Sequence, residues 1–250
     1  MIELKNREEI EGIRKSGHLL ADLFRHLDTQ IAEGMSTYDV DRICLDFMKR
    51  HHAVASCLGY MGYPNATCIS VNDTVIHGIP SKRLILKDGD LVSVDITLEL
   101  DGFVSDSTHT YEIGKVSDEV HQLNIVTEKS LYNAIDAAGK KGARLHDIAK
   151  AVEDTCRPYG YGIVRDYCGH GVGFSIHEDP CVFNYVSMRN PNNKLREGMV
   201  IAIEPMINMG SWRIKDLEDG WTVKTVDGSV ACHWEHTVAI TENGAEIMTI

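Results

Sequence analysis

The sequence of 250 residues lacks long hydrophobic runs. No apolar stretch approaches the ~18 residues of a membrane-spanning helix, and the segment from Met1 to Glu9 has no signal-peptide character. Positive charge is also scarce, since 25 Lys and Arg against 37 Asp and Glu give a formal net charge of −12. A polyanion would gain little from long-range attraction to such a chain. We expect a cytoplasmic protein with neither a nucleic acid substrate nor a membrane partner.

Paired cysteines are missing as well. The seven cysteines are an odd number and include no C-x-x-C pair, which fits a reducing compartment better than a disulfide framework. Cys44 falls on the apolar stripe of a predicted helix, and we expect it in the core. Cys57 and Cys68 flank a loop rich in tyrosine and glycine. From the residues alone, plain packing and a place in a pocket wall are both open for these two.

The segment from Asp88 to Ile113, DGDLVSVDITLELDGFVSDSTHTYEI, predicts a β-hairpin with a type I′ turn at Asp101-Gly102. Asp95 and Asp106 then sit diagonally on one face, with β-carbons within about 7–8 Å. Two carboxylates on buried strands repel each other unless a positive group lies between them. A bound metal is one solution, and a turn cap beside a solvent-facing Asp is the other. The predicted register pairs Leu100 with Phe103, Thr97 with Asp106, and Asp95 with Thr108.

Helical periodicity appears on both sides of the hairpin. Apolar spacing predicts helices over 8–29, from near Ser36 with Asp39 helping to cap it, over 118–138, and from Leu145 to Pro158. Glycine and proline break the pattern between Ser56 and Pro80, so this loop should lie on the surface or rim a cleft.

An internal repeat relates the two parts of the chain. Residues 34–40 (GMSTYDV) align with 142–148 (GARLHDI), and residues 87–95 (KDGDLVSVD) align with 196–204 (REGMVIAIE) at nearly the same offset. The sequence therefore predicts one α+β domain over residues 1–250. Its pseudo-symmetric halves are 1–115 and 116–250, and Asp95 and Glu204 meet near the axis.

The second half contributes polar residues in apolar surroundings. His170 lies in GHGVG, which lacks both the G-x-G-x-x-G form and a following helix, so phosphate binding is not expected. We expect its glycines to let the backbone approach a ligand or metal closely. Glu204 and Glu235 lie in apolar strand contexts, where a carboxylate is costly unless it is paired or coordinated.

For an isolated Glu, a salt bridge would be the preferred interpretation. Metal coordination becomes the better one for Glu204 and Glu235 together with Asp95, Asp106 and His170. This oxygen-rich set suits manganese, iron(II) or cobalt(II). Bridging carboxylates hold two ions about 3.5–4 Å apart and lower the pKa of a shared water toward ~7, which is a hydrolytic arrangement.

At this point the chain resembles the type I methionine aminopeptidases, which have the pita-bread fold. The resemblance runs through nearly the whole sequence in ordered motifs: GYPNATCISVNDTVIHGIP, DGDLVSVDIT, DGFVSDST, YCGHGVG, IHEDP, EGMVIAIEPM, DGWTVKT and WEHTVAIT. It implies a central antiparallel sheet flanked by helices. It also implies hydrolysis of the initiator methionine from nascent proteins and peptides, with a small uncharged second residue preferred.

The resemblance also implies roles for single residues. Asp95, Asp106, His170, Glu204 and Glu235 would hold two divalent ions (cobalt, manganese, iron(II) or zinc), with Asp106 and Glu235 bridging. Glu204 would carry the proton from water to the leaving amine, and His77 and His177 would contact the substrate and steady the tetrahedral intermediate. The methionine side chain would be enclosed by Cys57, Tyr60, Tyr63, Cys68, Trp221 and Ile176.

Three positions depart from the common family pattern. Ile176 stands where Phe is frequent, His233 where Gln is frequent, and Ser105 where Gly is frequent. None of them removes an implied ligand. Side-chain selectivity and metal preference are therefore the properties most open to change.

Two other functions are weighed against this one. Prolidases and aminopeptidase P resemble the catalytic half but usually carry a large additional N-terminal domain, for which 250 residues leave no room. A pita-bread module that only binds peptide, RNA or protein would be expected to lose ligands, and here all five are present. The expected partners are therefore N-terminal methionyl peptides and nascent chains. The resemblance suits a monomer with transient ribosome association.

Overall fold

The computed structural model describes residues 1–250, with four α-helices and fifteen β-strands. The helices are α1 (Arg7–Asp28), α2 (Thr37–Arg50), α3 (Asp118–Ala138) and α4 (Leu145–Cys156). The strands are β1 (Val54–Ala55), β2 (Cys68–Val71), β3 (Thr74–Ile76), β4 (Leu91–Leu100), β5 (Phe103–Glu112), β6 (Gly162–Ile163), β7 (Gly169–Gly171), β8 (Glu178–Val182), β9 (Val200–Ile203), β10 (Met206–Asn208), β11 (Ile214–Asp216), β12 (Val223–Thr225), β13 (Ala231–His233), β14 (Glu235–Thr241) and β15 (Gly244–Ile247). None of the helices combines the length and apolar character needed to cross a membrane.

A nine-stranded antiparallel sheet dominates the molecule. Its order is β1-β4-β5-β14-β9-β7-β8, with β2 also paired to β4 and β15 also paired to β14. Two three-stranded sheets, β13-β10-β6 and β11-β12-β3, complete the β-structure. Strands of the first half (β4, β5) and of the second (β14, β9, β7) are thus neighbours in one sheet, which joins the two halves.

The predicted hairpin is confirmed residue by residue. β4 and β5 pair in antiparallel register, with Asp95 opposite Thr108 and Thr97 opposite Asp106. The turn residues Asp101 and Gly102 have φ of 52° and 84°. Positive φ at both central positions is what a type I′ turn requires, and it matches the right-handed twist of the flanking strands.

Helix α2 begins where its predicted capping residues place it. The Ser36 side chain accepts a hydrogen bond from the Asp39 backbone N–H, while Asp39 Oδ2 accepts one from the Ser36 backbone N–H at 2.9 Å. Cys44 is fully buried, as expected. The prediction that the fourth helix reaches Pro158 was wrong, because α4 ends at Cys156 and a 3₁₀ turn covers Arg157–Tyr159. Pro158 has no N–H to continue the helical hydrogen bonds.

The same backbone contacts recur in both halves, which supports the internal repeat. In each half, the segment before a strand of the large sheet bonds to the segment that starts the second helix. In the first half, Leu86 N–H donates to Met35 O at 2.8 Å and Thr37 N–H donates to Leu84 O at 2.9 Å. The matching bonds of the second half run from Leu195 N–H to Ala143 O at 2.9 Å and from Leu145 N–H to Asn193 O at 3.1 Å.

Each half also builds a hydrophobic core of its own. One cluster joins α1 and α2 to β2 and β4, and it includes Phe24, Met48 and Ile96. The other joins α3 and α4 to β9 and β14, and it includes Leu123, Ile148 and Val238. Apolar burial on this scale is the main stabilising contribution to folding. The inner strands of the large sheet are thereby held as a rigid support for polar side chains.

Candidate metal centre and substrate pocket

One pocket of about 380 Å³ contains every site residue predicted from the sequence. Five further residues complete its lining: Met61, Thr97, Asp166, Tyr167 and Cys168. The predicted residues are Cys57, Tyr60, Tyr63, Cys68, His77, Asp95, Asp106, His170, Ile176, His177, Glu204, Trp221 and Glu235. Strands and loops of both halves therefore direct these side chains into a single cavity.

The predicted metal ligands come from five places in the large sheet. Asp95 lies on β4, Asp106 on β5, His170 on β7 and Glu235 on β14, and Glu204 directly follows β9. Asp106, His170 and Glu235 are buried, and each offers one donor atom such that all three atoms lie within 4.8 Å of one another. His170 Nε2 is 3.6 Å from Glu204 Oε1 and 3.8 Å from Asp106 Oδ2. Donor atoms at these separations can share cations.

The carboxylates of this cluster are unfavourable without a compensating positive charge. Burial raises the pKa of Glu204 to about 8. Burial, helped by the charge of Glu204, raises the pKa of Asp95 to about 6. The pKa values of Asp106 and Glu235 are raised well above normal, first by burial and then by the neighbouring carboxylates.

A cation fits the cluster in two further respects. Asp106 Oδ1 is buried and has no hydrogen-bond partner, although buried polar atoms normally have one. Burial lowers the pKa of His170 to about 3, so its imidazole is neutral and free to act as a ligand. The donor set is therefore suited to divalent metal ions.

Neighbouring groups orient the predicted ligands. His170 Nδ1 is 2.9 Å from Gly171 O, which makes Nδ1–H the donor and directs Nε2 towards the carboxylates. Thr108 Oγ1 donates to Glu235 Oε2 at 2.9 Å. Hydrogen bonds behind a ligand fix its orientation and tune its basicity.

The glycines around His170 pack closely against neighbouring strands. A β-carbon on Gly169 would lie 2.3 Å from Ala202 O, and one on Gly171 would lie 2.2 Å from Asp179 O. Strand packing therefore explains these two glycines, and the close approach of the backbone to a ligand or metal stays a prediction. They allow β7 to pack closely against its neighbours.

His233, one of the departures from the family pattern, lies directly beside the carboxylates. It is buried, and its Nε2 is 3.3 Å from Glu204 Oε2 without a well-directed hydrogen bond. Burial lowers the pKa of His233 to about 4. Ser105, another departure, is buried outside the pocket lining, where its hydroxyl is 2.8 Å from Ser16 Oγ.

Aromatic and sulfur-containing side chains form the other end of the pocket. The Tyr63 ring meets Trp221 edge-on, with ring centroids 5.0 Å apart. Tyr63 Oη lies 3.0 Å from Thr67 O and 3.1 Å from Gly78 O, and its hydroxyl donates to these carbonyls. The neighbouring Cys57 and Cys68 thiols influence each other, so the pKa of Cys57 is lowered and that of Cys68 is raised. These contacts hold an apolar, polarisable wall in place.

Two histidines stand at the rim of the metal cluster. His77 has φ of 56°, and its ring packs edge-on against Tyr167 at 5.5 Å. Left-handed backbone is uncommon for histidine and costs about 1–3 kcal/mol, a strain that functional sites often contain. His177 Nδ1 is 3.0 Å from Tyr60 Oη, and its ring centroid is 4.3 Å from that of His170.

Sequence reasoning missed a residue that anchors the pocket wall. Asp41 Oδ1 accepts hydrogen bonds from Ala66 N–H, Thr67 N–H and Thr67 Oγ1, each at 3.0 Å, and Oδ2 accepts one from Asn65 Nδ2 at 3.0 Å. The sequence did offer a signal, because Asp41 stands three residues before Cys44 and therefore on the helix face that was expected to be buried. Tyr167 and Cys168, also missed, lie inside the motif that pointed to His170.

A buried cluster of carboxylates and histidine in this fold defines a metallopeptidase centre. The profile of metallopeptidase family M24 matches residues 11–242, and the chain belongs to that family. The solved structure of methionine aminopeptidase from Thermotoga maritima is similar over 100% of this chain and 99% of that one, with a TM-score of 0.95 and 42% identity. The predicted pita-bread fold is confirmed.

Sequence comparison gives relatives of the same kind as the structural comparison. Methionine aminopeptidase of Clostridium perfringens (strain 13 / Type A) is 45% identical over 251 residues, covering 100% of this chain and 99% of that protein. Methionine aminopeptidase of Escherichia coli (strain K12) is 42% identical over 250 residues, covering 100% and 94%. Prolidase from Pyrococcus furiosus matches less closely, with a TM-score of 0.77 and 26% identity over 99% of this chain and 65% of that one.

Proposed function

We propose that this protein is a methionine aminopeptidase that hydrolyses the N-terminal methionine of nascent proteins and peptides, with a small uncharged second residue preferred. The observation that carries the proposal is the single pocket in which a buried carboxylate–imidazole cluster adjoins a wall of thiols and aromatic rings. The full-length relatives named methionine aminopeptidase support it. Because both halves contribute to the pocket, the proposal takes residues 1–250 as one catalytic domain.

The metal ions of the proposed reaction would be held by the buried carboxylate–imidazole cluster. Divalent ions bound there supply Lewis acidity and lower the pKa of a water molecule. Cobalt, manganese, iron(II) and zinc are the candidates, since all accept oxygen and imidazole donors. The residues that would hold two such ions are Asp95, Asp106, His170, Glu204 and Glu235, with Asp106 and Glu235 shared between them.

Glu204 is proposed to move the proton. Its carboxylate accepts a proton from the attacking water and delivers it to the nitrogen of the leaving amine, as a general base and then a general acid. Its environment supports this role, because burial in the metal-free protein raises its pKa to about 8, and a carboxyl group that titrates near neutral pH can both accept and deliver a proton.

His77 and His177 are proposed to bind the carbonyl of the scissile peptide bond. Because His177 Nδ1 contacts Tyr60 Oη, its Nε2 is the ring atom left for the substrate. His77 faces the same cavity. Donors placed where negative charge develops on a carbonyl oxygen stabilise the tetrahedral intermediate, and one such donor contributes about 10²–10³ in kcat.

The proposed methionine side-chain site is the wall formed by Cys57, Tyr60, Tyr63, Cys68 and Trp221. Thiols and aromatic rings offer a polarisable surface to a thioether at little desolvation cost. Ile176 closes the wall beside His177 with a smaller side chain than the frequent Phe. The proposal also includes a monomeric protein in the cytoplasm that contacts the ribosome transiently.

The decisive experiment measures release of free methionine from Met-Ala-Ser. Protein stripped of metal is reloaded anaerobically with iron(II), manganese or cobalt and compared on Leu-Ala-Ser and Ala-Pro-Ser. Release from the methionine peptide alone is expected, with His170→Ala inactive and the exposed-site control His121→Ala active. No release with any metal, despite stoichiometric metal binding, would contradict the proposal.

A proline-directed peptidase is the second candidate, and the likeness to prolidase from Pyrococcus furiosus favours it over a module that only binds peptides. The same experiment separates the two peptidase activities. Cleavage of Ala-Pro-Ser without cleavage of Met-Ala-Ser would assign the protein to the proline-directed group.

A further inference from the structure

Cys57 and Cys68 meet end to end along one edge of β4. β1 pairs with β4 through Ala55 opposite Leu98, and the pairing continues with a hydrogen bond of 3.1 Å from Ser56 N–H to Thr97 O. β2 pairs with the next part of the same edge, beginning with Cys68 opposite Asp95. The chain therefore leaves this edge at Cys57 and returns to it at Cys68. The intervening residues 58–67 form a closed loop, here called the pocket loop.

The two thiols face the same pocket. The Cys57 thiol donates a hydrogen bond of 3.4 Å to Thr97 Oγ1, and Cys68 lies opposite Asp95, two residues from Thr97 on the same strand. Cys57 is half-buried and Cys68 is buried, and both line the cavity. Of these two thiols Cys57 is the more exposed, so a small polar oxidant that enters the cavity reaches it before Cys68.

We propose that Cys57 and Cys68 form a reversible disulfide that closes the pocket loop and disables the methionine side-chain site. The inference rests on the proposed function, because it describes control of that same site. Pairing to neighbouring positions of the β4 edge holds the two chain ends side by side, whereas Cys44 and Cys156 are buried in the hydrophobic cores.

The oxidant is a hydroperoxide, and the chemistry balances in two steps. Cys57 Sγ attacks one peroxide oxygen, the O–O bond breaks, and sulfenic acid and water are formed from the thiol and hydrogen peroxide. Cys68 Sγ then attacks the Cys57 sulfur, the S–O bond breaks, and the disulfide and a second water are formed. Two thiols lose two electrons, the peroxide gains them, and a dithiol reductant reverses the reaction by thiol–disulfide exchange.

The disulfide changes the site because of its geometry. Bonding brings the sulfurs to about 2.05 Å, much closer than contacting thiols. The ends of the pocket loop must follow, and the loop carries Tyr60 and Tyr63. Misplacement of a substrate-positioning group by about 1 Å can cost about 10²-fold in rate. We expect kcat/KM for Met-Ala-Ser to fall about 10- to 100-fold on oxidation.

The experiment treats the manganese-loaded protein with hydrogen peroxide, removes the excess with catalase, and analyses thiols and turnover in parallel. Peptide mapping after alkylation is expected to show a disulfide between Cys57 and Cys68, and dithiothreitol is expected to restore activity. Cys57→Ser and Cys68→Ser should lose both the disulfide and the reversible inhibition. The control is Cys181→Ser, which removes the exposed member of the other neighbouring thiol pair, Cys168 and Cys181, and should leave the disulfide between Cys57 and Cys68 and the reversible inhibition in place.

Two results would overturn the proposal. One is oxidation of the protein without a bond between Cys57 and Cys68. The other is formation of that bond with kcat/KM unchanged. Because the disulfide is detected by mass, it is scored even if the unoxidised protein releases no methionine, which would contradict the proposed function separately.

Discussion

Glu204 has a histidine on each side. Its Oε1 is 3.6 Å from His170 Nε2 and its Oε2 is 3.3 Å from His233 Nε2. The residue is 9% exposed and directly follows strand β9, so both its position and its desolvation are imposed by the sheet. A carboxylate held in this way between two bases is well placed to exchange protons, and it is destabilising while it is ionised and unpaired.

The first prediction concerns Glu204→Gln. The amide keeps the shape of the side chain but cannot accept a proton, so kcat for methionine release is expected to fall about 10²- to 10⁴-fold. Because burial already favours the protonated, neutral carboxyl group in the metal-free protein, the neutral amide should leave the stability of that form about unchanged. Initial rates and urea denaturation measure the two effects, with the exposed-site variant Glu33→Gln as the control. Undiminished turnover would rule out the proton-transfer role.

The second prediction concerns His233, whose Nε2 lies 3.3 Å from Glu204 Oε2. Outer-shell partners of metal ligands typically contribute 10- to 100-fold to metal affinity. His233→Ala is therefore expected to weaken manganese binding about tenfold or more. His233→Gln should lose less, because its amide can still reach Glu204. Calorimetric titration of the metal-free proteins tests this, and equal affinities in all three would show that His233 only fills space.

At the scale of single residues, the sequence was informative wherever the polarity or identity of a residue differed from what its sequence context leads one to expect. Asp95, Asp106 and Glu235 were recognisable because carboxylates in apolar strands need compensation. His233 was recognisable as a departure from a family pattern. Asp41 was not recognised, because its partners, the backbone N–H groups of Ala66 and Thr67, become visible only when the loop folds back onto helix α2.

At the scale of elements, a single carboxylate anchors the end of the pocket loop to helix α2. Asp41 in α2 receives four hydrogen bonds from residues 65–67, and this carboxylate is 2% exposed. The loop has a 3₁₀ turn at Tyr60–Gly62 in which Met61 has φ of 47°. Local rules could predict the hairpin turn at Asp101-Gly102, but they could not predict this loop, because its conformation is imposed by a distant helix.

The third prediction is that Asp41→Ala both destabilises the protein and impairs substrate binding. Loss of a buried acceptor leaves several donors unpaired, so the free energy of unfolding should fall by about 3 kcal/mol. KM for Met-Ala-Ser should rise, because residues 58–67 carry Tyr60 and Tyr63. Urea denaturation and steady-state kinetics provide the measurements. Asp46→Ala, which removes an exposed ion pair with Arg42 on the same helix, should change neither property appreciably.

The fourth prediction concerns the packing of α1 on β5. His109 stacks on Phe24 with ring centroids 3.9 Å apart, and burial lowers its pKa from 6.5 to about 4. Between these values the unfolded chain binds more protons than the native state, so native stability falls as the pH falls. Near pH 4 the loss from this group should reach about 3 kcal/mol.

His109→Phe tests that prediction because it removes the titrating group and retains an aromatic ring. The difference in unfolding free energy between pH 7 and pH 4.5 should be smaller in His109→Phe than in the unsubstituted protein. The exposed-site variant His121→Phe should retain the full pH dependence. An unchanged slope in His109→Phe would show that other groups account for the acid sensitivity.

At the scale of the whole molecule, the proposed metal centre lies where the two halves join. Asp95 and Asp106 belong to the first half, whereas His170, Glu204 and Glu235 belong to the second. The sequence repeat allowed the halves to be predicted. The placement of β14 between β5 and β9 could not be predicted from the repeat, because pairing between distant strands is set by the packing of the complete sheet.

The fifth prediction is that metal binding stabilises the molecule as a whole. Ions that bind only the native state add about 2.7 kcal/mol to the unfolding free energy at a concentration of 100 times Kd. Manganese should therefore raise the thermal midpoint of the metal-free protein, and a chelator should reverse the change. Asp106→Asn should show a much smaller rise. An equal rise in that variant would place the stabilising ion elsewhere.

The division of the proposed ligands between the halves also determines when the metal ion can be selected. Synthesis proceeds from the N-terminus, so Asp95 and Asp106 are made before His170, Glu204 and Glu235. A growing chain that has only the two aspartates offers too few donors to discriminate among divalent ions. Selection of the ion is therefore left to the finished, folded protein. The metal that it acquires should reflect the free ion concentrations around the mature protein, and a change in those concentrations should change the ion content of newly made molecules.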